Sequence, residues 1–447
     1  MINTKKHFSN RYLVHLIIPL AVSTLLASTV GIADTLMISS ALDKASVSGV
    51  SLVDQITVLI INIFAALATG GAVVTSQFLG AERYEKAEES AKQLLLSAGV
   101  VSVLIGAAFV VFCRNILNLC YPEIDAETNR AAVTYLFITG FSYPFIAVEN
   151  CCGALFRSFG KSNYCMYSAI VCNMVNIVGN ALTIYVFKWG ITGAAISTTF
   201  GRFIGMALML IWISSKNSPV RINIFKRIIP DFGMIKKILG IGIPSGLENG
   251  IFQLGRLLVV TIIANYGLIQ TTANAVANNL DAFGCIFGSS MNLAVITVIG
   301  QCVGAHDFDG VKYYAKKLLA IEYIIGALFY SSTLVFITPI LGWYNLDAET
   351  AQLTRTLVFI HNGIGMFLWP LSFTLPNFLR AANDVRFAMT VSVVSMILCR
   401  LGLSYFFHYT FGMGALGVWI AMVVDWIFRI SFFVFRFLSG KWKKYCT

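Results

Sequence analysis

Again and again along this chain, roughly twenty residues pass with scarcely a charged side chain. As a helix, a run of that length spans the ~30 Å hydrocarbon core of a bilayer. Water does not reach the peptide groups there, so each must be satisfied internally, which leaves helices or closed barrels. Barrel strands alternate apolar and polar residues with a period of two, and these runs do not alternate. The sequence therefore predicts an all-α polytopic membrane protein. Only 12% of the residues are charged, against roughly 25% in soluble domains.

Twelve spans are predicted, at about 13–38, 47–78, 92–113, 130–152, 164–187, 191–214, 236–264, 272–302, 314–340, 352–376, 387–409 and 414–437. The first follows Lys5, Lys6 and Arg11 and imitates a signal peptide; its length argues that it is kept as a helix.

The chain also repeats itself. Val74-Thr-Ser-Gln77-Phe-Leu-Gly80-Ala81 recurs as Val298-Ile-Gly-Gln301-Cys-Val-Gly304-Ala305, and in both copies a later Ala (Ala91, Ala315) and a Leu-Leu pair follow in register. Pro19 matches Pro244, and Leu-Phe-Arg157 matches Phe-Leu-Arg380. Repeats come before any fold assignment. They imply two homologous lobes of six helices, residues 1–215 and 236–447, joined by a basic cytoplasmic linker over 216–235. Gly80 is expected to end its helix with a positive φ.

Of the 32 Lys and Arg, 23 fall at the termini and in the loops on one side, and 5 in the loops on the other. The positive-inside rule then puts both termini in the cytoplasm of a plasma-membrane protein. The net charge of +11 is accounted for by these loops, not by nucleic acid. An even number of spans per lobe gives both lobes the same orientation. A pseudo-twofold along the membrane normal would then relate them around a central cavity. The ten cysteines form no C-x-x-C pair and read as small buried hydrophobes rather than metal ligands.

Several motifs resemble the multidrug and toxic compound extrusion (MATE) family. In the first half they are Pro19, the Gly31-Ile-Ala-Asp34-Thr-Leu-Met37 run, the Gln77…Gly80-Ala81 loop, Arg157-Ser-Phe-Gly160-Lys161, Asn173…Asn176 and Gly190-Ile-Thr-Gly193-Ala-Ala. In the second half they are Pro244, Gln301…Gly304-Ala305, Arg380-Ala-Ala-Asn383-Asp384 and Gly414…Gly417-Val418. The resemblance covers nearly the whole chain. It implies a secondary antiporter that exports organic cations, drugs or amphiphilic metabolites in exchange for inward Na⁺ or H⁺. No enzyme activity and no cofactor beyond the coupling ion are implied. The expected partners are small-molecule amphiphiles and the lipid bilayer, and the protein is expected to be a monomer.

A charge placed mid-membrane costs roughly 2.5–3.5 kcal/mol on insertion scales and marks a cavity or a partner. Asp34 is such a charge, and it matches the family's first-helix Asp implicated in ion coupling. Asn173, Asn176 and Asn180 share one face of the fifth span and can offer carbonyl oxygens to a cation or hydrogen bonds to Asp34; Tyr135 can add a hydroxyl. If Na⁺ is the coupling ion, Asp34, Asn176 and Asn180 are its expected ligands. Some family members carry a second Asp at the position of Asn180; this chain does not. In the second half, Glu248, Gln253 and Arg256 on the seventh span and Asn278 and Asp281 on the eighth are expected to line a substrate cavity, with Phe252, Met291 and Trp369. Arg256 is weighed as a neutralising partner for Glu248 or Asp281.

Asp425 and Arg429, four apart, read as an internal salt bridge. Glu149 is expected beside Arg157, and Asp54 near the outer mouth. Arg202 and Arg400 have no partner evident in sequence. The rival within transport is a lipid-linked oligosaccharide flippase of the wider superfamily, which places cationic residues in its cavity. A membrane enzyme would need a His, Cys, Ser or Asp constellation on one face, and a channel would not need two mobile lobes.

Overall fold

The computed structural model describes residues 7–215, 222 and 229–446. Among these residues the fold is helical, with no strand. Eleven helices are long and apolar enough to cross a membrane, and a bent pair completes a twelfth span. The long elements are α1 (Asn10–Ala41), α2 (Lys44–Gly80), α3 (Tyr84–Val111), α4 (Ala126–Gly140), α5 (Tyr143–Ser158), α6 (Asn163–Val186) and α7 (Gly190–Ser214). They continue with α8 (Phe232–Ala264), α9 (Leu268–Gly304), α10 (Phe308–Val335), α11 (Ala348–Ala381), α12 (Val385–Phe411) and α13 (Ala415–Leu438). The predicted fourth span is the α4–α5 pair, bent by 50°.

Large apolar side chains stand exposed along these helices, among them Leu104 (66%), Ile211 (64%) and Ile324 (73%). Water would not tolerate so many; hydrocarbon does. Aspartates begin helices where the chain re-enters. Asp43, Asp125 and Asp347 each cap a helix by accepting a backbone N–H three residues on. All three are held below the ordinary carboxylate range by hydrogen bonds: from Ser46 at Asp43, from the Thr128 amide at Asp125, and from the Thr350 hydroxyl at Asp347.

The repeat reaches down to single backbone angles. Left-handed residues pair across the halves: Glu82 (φ 61°) with His306 (φ 55°), Gly160 (72°) with Asn383 (64°), and Lys188 (55°) with Gly412 (63°). This corrects the expectation for Gly80. That residue is the last of α2, and the positive φ falls at Glu82, two residues on.

By contacts the chain divides into two units, Phe8–Gly246 and one built from Leu247 onward. The division lies inside α8, past the 216–235 linker, most of which falls outside the described residues. The start of α8 packs against the N-terminal unit. A Cβ on Gly70 of α2 would lie 2.3 Å from the Ile238 carbonyl oxygen and 2.9 Å from the Gly242 nitrogen. That approach is possible only without side chains, as in other close helix seams in membranes. The Gln93 side chain also donates to the Ile229 carbonyl at 2.7 Å.

Within the N-terminal unit α2 packs on α3, α4 and α5, α1 on α6, and α6 on α7. Pro19 lacks the N–H that would bond the His15 carbonyl. The Ser162 hydroxyl, from the loop before α6, lies 3.0 Å from that carbonyl and 2.7 Å from the Leu16 carbonyl beside it. The C-terminal unit packs α9 on α10 and α11, and α13 on α11 and α12. Three π-helical turns interrupt the regular ladder: Ala181–Val186 in α6, Pro370–Thr374 in α11 and Met396–Gly402 in α12. Such turns often accompany functional sites.

Candidate functional site

In the N-terminal unit, the stripe on α6 meets the acid of α1. Asn180 Nδ2 donates to Asp34 Oδ1 and lies 3.5 Å from Asn176 Oδ1. Asn176 Nδ2 in turn donates to Thr198 Oγ1 of α7 at 3.3 Å, and Tyr135, buried on α4, lies near Thr198 and Asp34. Three predicted residues, Asp34, Asn176 and Asn180, therefore share one network, and Tyr135 stands beside it. Asn173 stands apart from it: its amide donates to the Leu26 carbonyl at 3.3 Å and ties α6 to α1. Asn180 is fully buried, yet among the described residues its Oδ1 has no hydrogen-bond partner. An acceptor left bare beside a carboxylate is an oxygen-rich spot, suited to a proton or a hard cation.

Arg202 lies within electrostatic reach of Asp34 and Asp54. It spends a hydrogen bond on Ser142 Oγ at 2.7 Å instead. Among the described residues no ion pair reaches Asp34 or Asp54 within 4 Å. Glu149 does not meet Arg157 as expected; it accepts from Ser168 at 2.8 Å and from Cys172 at 3.6 Å. Glu149 and Arg157 are two turns apart on α5, and Glu149 faces the small residues of α6 and α7, where Gly205 lets its carboxyl in.

The C-terminal unit is organised differently. Glu248 pairs with Arg380 at 2.6 Å and stands 3.8 Å from Arg429; Arg256 does not neutralise it. Asp425 and Arg429 do not form the predicted bridge, for Asp425 faces Arg400 at 3.9 Å. Arg429 reaches Ser392 Oγ at 3.1 Å and covers the Phe373 ring at 4.6 Å. In both corrections a residue on a neighbouring helix outcompetes the one on the same helix. Asp281 is bonded by His361 Nδ1. A carboxylate only accepts, so Nδ1 carries the hydrogen. His361 is buried between Trp419 and Trp426, with ring centroids at 5.5 and 4.7 Å.

A cavity of about 290 Å³ opens inside this unit. Phe252, Arg256, Asn278, Asp281 and Trp369, all predicted, line it with His361, Phe373, Arg400 and Trp426. Glu248, Gln253 and Met291 are not among its lining residues: Glu248 is held in its ion pairs, and Met291 is fully buried in the core.

Two residues escaped the sequence reading. His361 is a lone imidazole in α11, with no local pattern to mark it. Glu322 in α10 did carry a signal, an acid within an apolar span. It is 1% exposed, 2.7 Å from the Thr374 hydroxyl, which lies 2.7 Å from Asn292 Oδ1 too.

A family model, MatE, matches residues 19–182 and 244–406, one copy in each half. The chain belongs to the MatE family. The two matches restate the repeat. An uncharacterized transporter of Bacillus subtilis (strain 168), YisQ, is 29% identical over 419 residues, covering 92% of this chain and 90% of its own. A probable multidrug resistance protein of Thermotoga maritima, NorM, is 24% identical and covers 97% of this chain and 93% of its own. Among solved structures, the outward-facing conformation of a multidrug resistance MATE family transporter of the MOP superfamily superposes with a TM-score of 0.89. It is 19% identical and covers 97% of this chain and 96% of its own. This MATE chain is thus a multi-pass membrane protein of a transporter family, and its homologues are not enzymes. The flippase reading gains nothing from these comparisons.

Proposed function

We propose that this protein is a secondary antiporter that exports amphiphilic small molecules against an inward Na⁺ or H⁺ gradient. The reading takes it to be a monomer in the plasma membrane with both termini cytoplasmic and no cofactor besides the coupling ion, which is cargo. Asp34 with Asn180, Asn176 and Tyr135 is the coupling site in this reading. One observation carries it: Asp34 is bonded by a neutral amide whose own oxygen is unpartnered among the described residues, and among those residues no cation pairs with either.

A carboxylate left unpaired by the protein can be neutralised by an ion from solution. Loading and emptying it then changes the charge buried between α1, α6 and α7. That change biases the transporter between its access states, provided ion and substrate bind those states with different affinity. Asn173 clamps α1 to α6 beside the site. Asn176 and Asn180 supply oxygens if the ion is Na⁺, and Asp34 alone suffices if it is a proton.

The test is dye efflux from proteoliposomes with Na⁺ and pH gradients imposed separately. One of the two gradients is expected to drive efflux. Asp34→Asn is expected to abolish that drive while the protein still inserts normally. Undiminished gradient-driven efflux by Asp34→Asn would remove Asp34 from the mechanism.

A further inference from the structure

The charges around the C-terminal cavity do not balance. Glu248 serves Arg380 and faces Arg429, Asp425 faces Arg400, and Asp281 is taken by His361. Arg256 lines the same cavity, and among the described residues it has neither an ion pair nor a hydrogen bond. Four guanidinium groups, of Arg256, Arg380, Arg400 and Arg429, stand against the three carboxylates of Glu248, Asp281 and Asp425, a surplus of one positive charge. Unmet donors point the same way: Trp426 Nε1 and Arg400 Nε, both on residues that line the cavity, are buried without an acceptor. The walls are aromatic. Trp369 and Phe373 stack with centroids 5.0 Å apart and planes 25° from parallel, and Phe252 lies 5.2 Å beneath the Arg400 guanidinium.

A cationic amphiphile entering here meets Arg256 as a like charge. An anion gains from it, because an exposed guanidinium with no protein partner among the described residues, beside bare buried donors, favours a ligand that brings acceptors and negative charge. Flat aromatic walls favour a flat aromatic body, and about 290 Å³ is near the lower end for small-molecule pockets. We propose that this cavity binds an aromatic anion, a carboxylate or sulfonate on a ring system of about naphthalene size, and that such anions are the substrate class of the exporter. Arg256 sets the sign of the charge accepted, while Trp369 and Phe373 hold the ring. The inference rests on the transport reading above for its meaning, but not for its test.

The test is calorimetric titration of the full-length, detergent-solubilised protein with 2-naphthoate and with (2-naphthyl)trimethylammonium, which share a ring and differ in charge. Naphthoate is expected to bind about tenfold tighter or more, the size of effect one modest charge interaction gives. Arg256→Gln is expected to erase the preference and Arg256→Lys to keep most of it. Tighter binding of the ammonium, or an unchanged ratio in Arg256→Gln, overturns the proposal. Asp34→Asn separates the two readings. If it loses gradient-driven efflux while naphthoate shows no preference, only the substrate class is wrong. If the preference holds while efflux ignores every gradient, only the coupling is wrong.

Discussion

The two units repeat one helical plan but partner most of their buried acids differently. In the N-terminal unit an acid is surrounded by neutral groups: Asp34 is bonded by Asn180, with Asn176, Thr198 and Tyr135 behind it, and Arg202 is engaged by Ser142. In the C-terminal unit Glu248, Asp281 and Asp425 each face an arginine or a histidine. A carboxylate matched by a guanidinium is already neutralised and has little reason to take up an ion. One supported only by amides depends on the solution for its counter-charge. On the proposed reading Asp34 is the responsive acid and Glu248 and Asp425 are structural ones, a difference that lies in the partners rather than in the acids; Glu322, held by the Thr374 hydroxyl, is the C-terminal unit's exception.

That contrast can be broken most directly at Glu248. Glu248→Gln strips Arg380 and Arg429 of their carboxylate in a buried site, which costs roughly 3–5 kcal/mol when one partner of a buried pair is removed. Thermal unfolding in detergent should show a large fall in midpoint, whereas Asp34→Asn should move it little. Equal losses in the two variants would erase the distinction between responsive and structural acids.

A smaller effect sharpens the C-terminal side. His361→Ala frees Asp281 to compensate Arg256 across the cavity. The preference for naphthoate over its ammonium analogue is then expected to fall several-fold, by titration, toward the Arg256→Gln value. An unchanged preference would mean that His361 does not hold Asp281 away from Arg256.

The smallest effect tests where the halves agree. Asp125 and Asp347 cap α4 and α11, and hydrogen bonds from the folded backbone and hydroxyls hold both carboxyls low. Unfolding returns them to the ordinary range, so the unfolded chain binds more protons. Their contribution is therefore present above the ordinary carboxylate range and is lost as pH falls through the depressed values. Asp125→Ala and Asp347→Ala should each lower the unfolding midpoint slightly at neutral pH. The gap from the unaltered protein should close in acid, and a gap that widens instead would contradict the capping role.

Much of this was open to reading before any coordinates. Hydropathy, the repeat and Lys/Arg placement are carried by the chain as a string, and the twelve spans follow from them. The Asn stripe was also legible, since a spacing of three and four fixes a shared helix face whatever the surroundings. Asp425 and Arg429 satisfy the same rule and still do not pair, because α12 and α8 offer them other company. His361 carried no local mark at all, and Glu322 carried one that went unread.

What the sequence determined by itself is the number of helices, their duplication and the faces on which polar groups lie. Each depends on the chemistry of single segments in hydrocarbon. Which guanidinium answers which carboxylate, and that Arg256 meets none among the described residues, only the tertiary structure decided. Those pairings depend on the rotation and depth of helices far apart in the chain. A few ångströms of either exchange one partner for another at almost no change in local propensity.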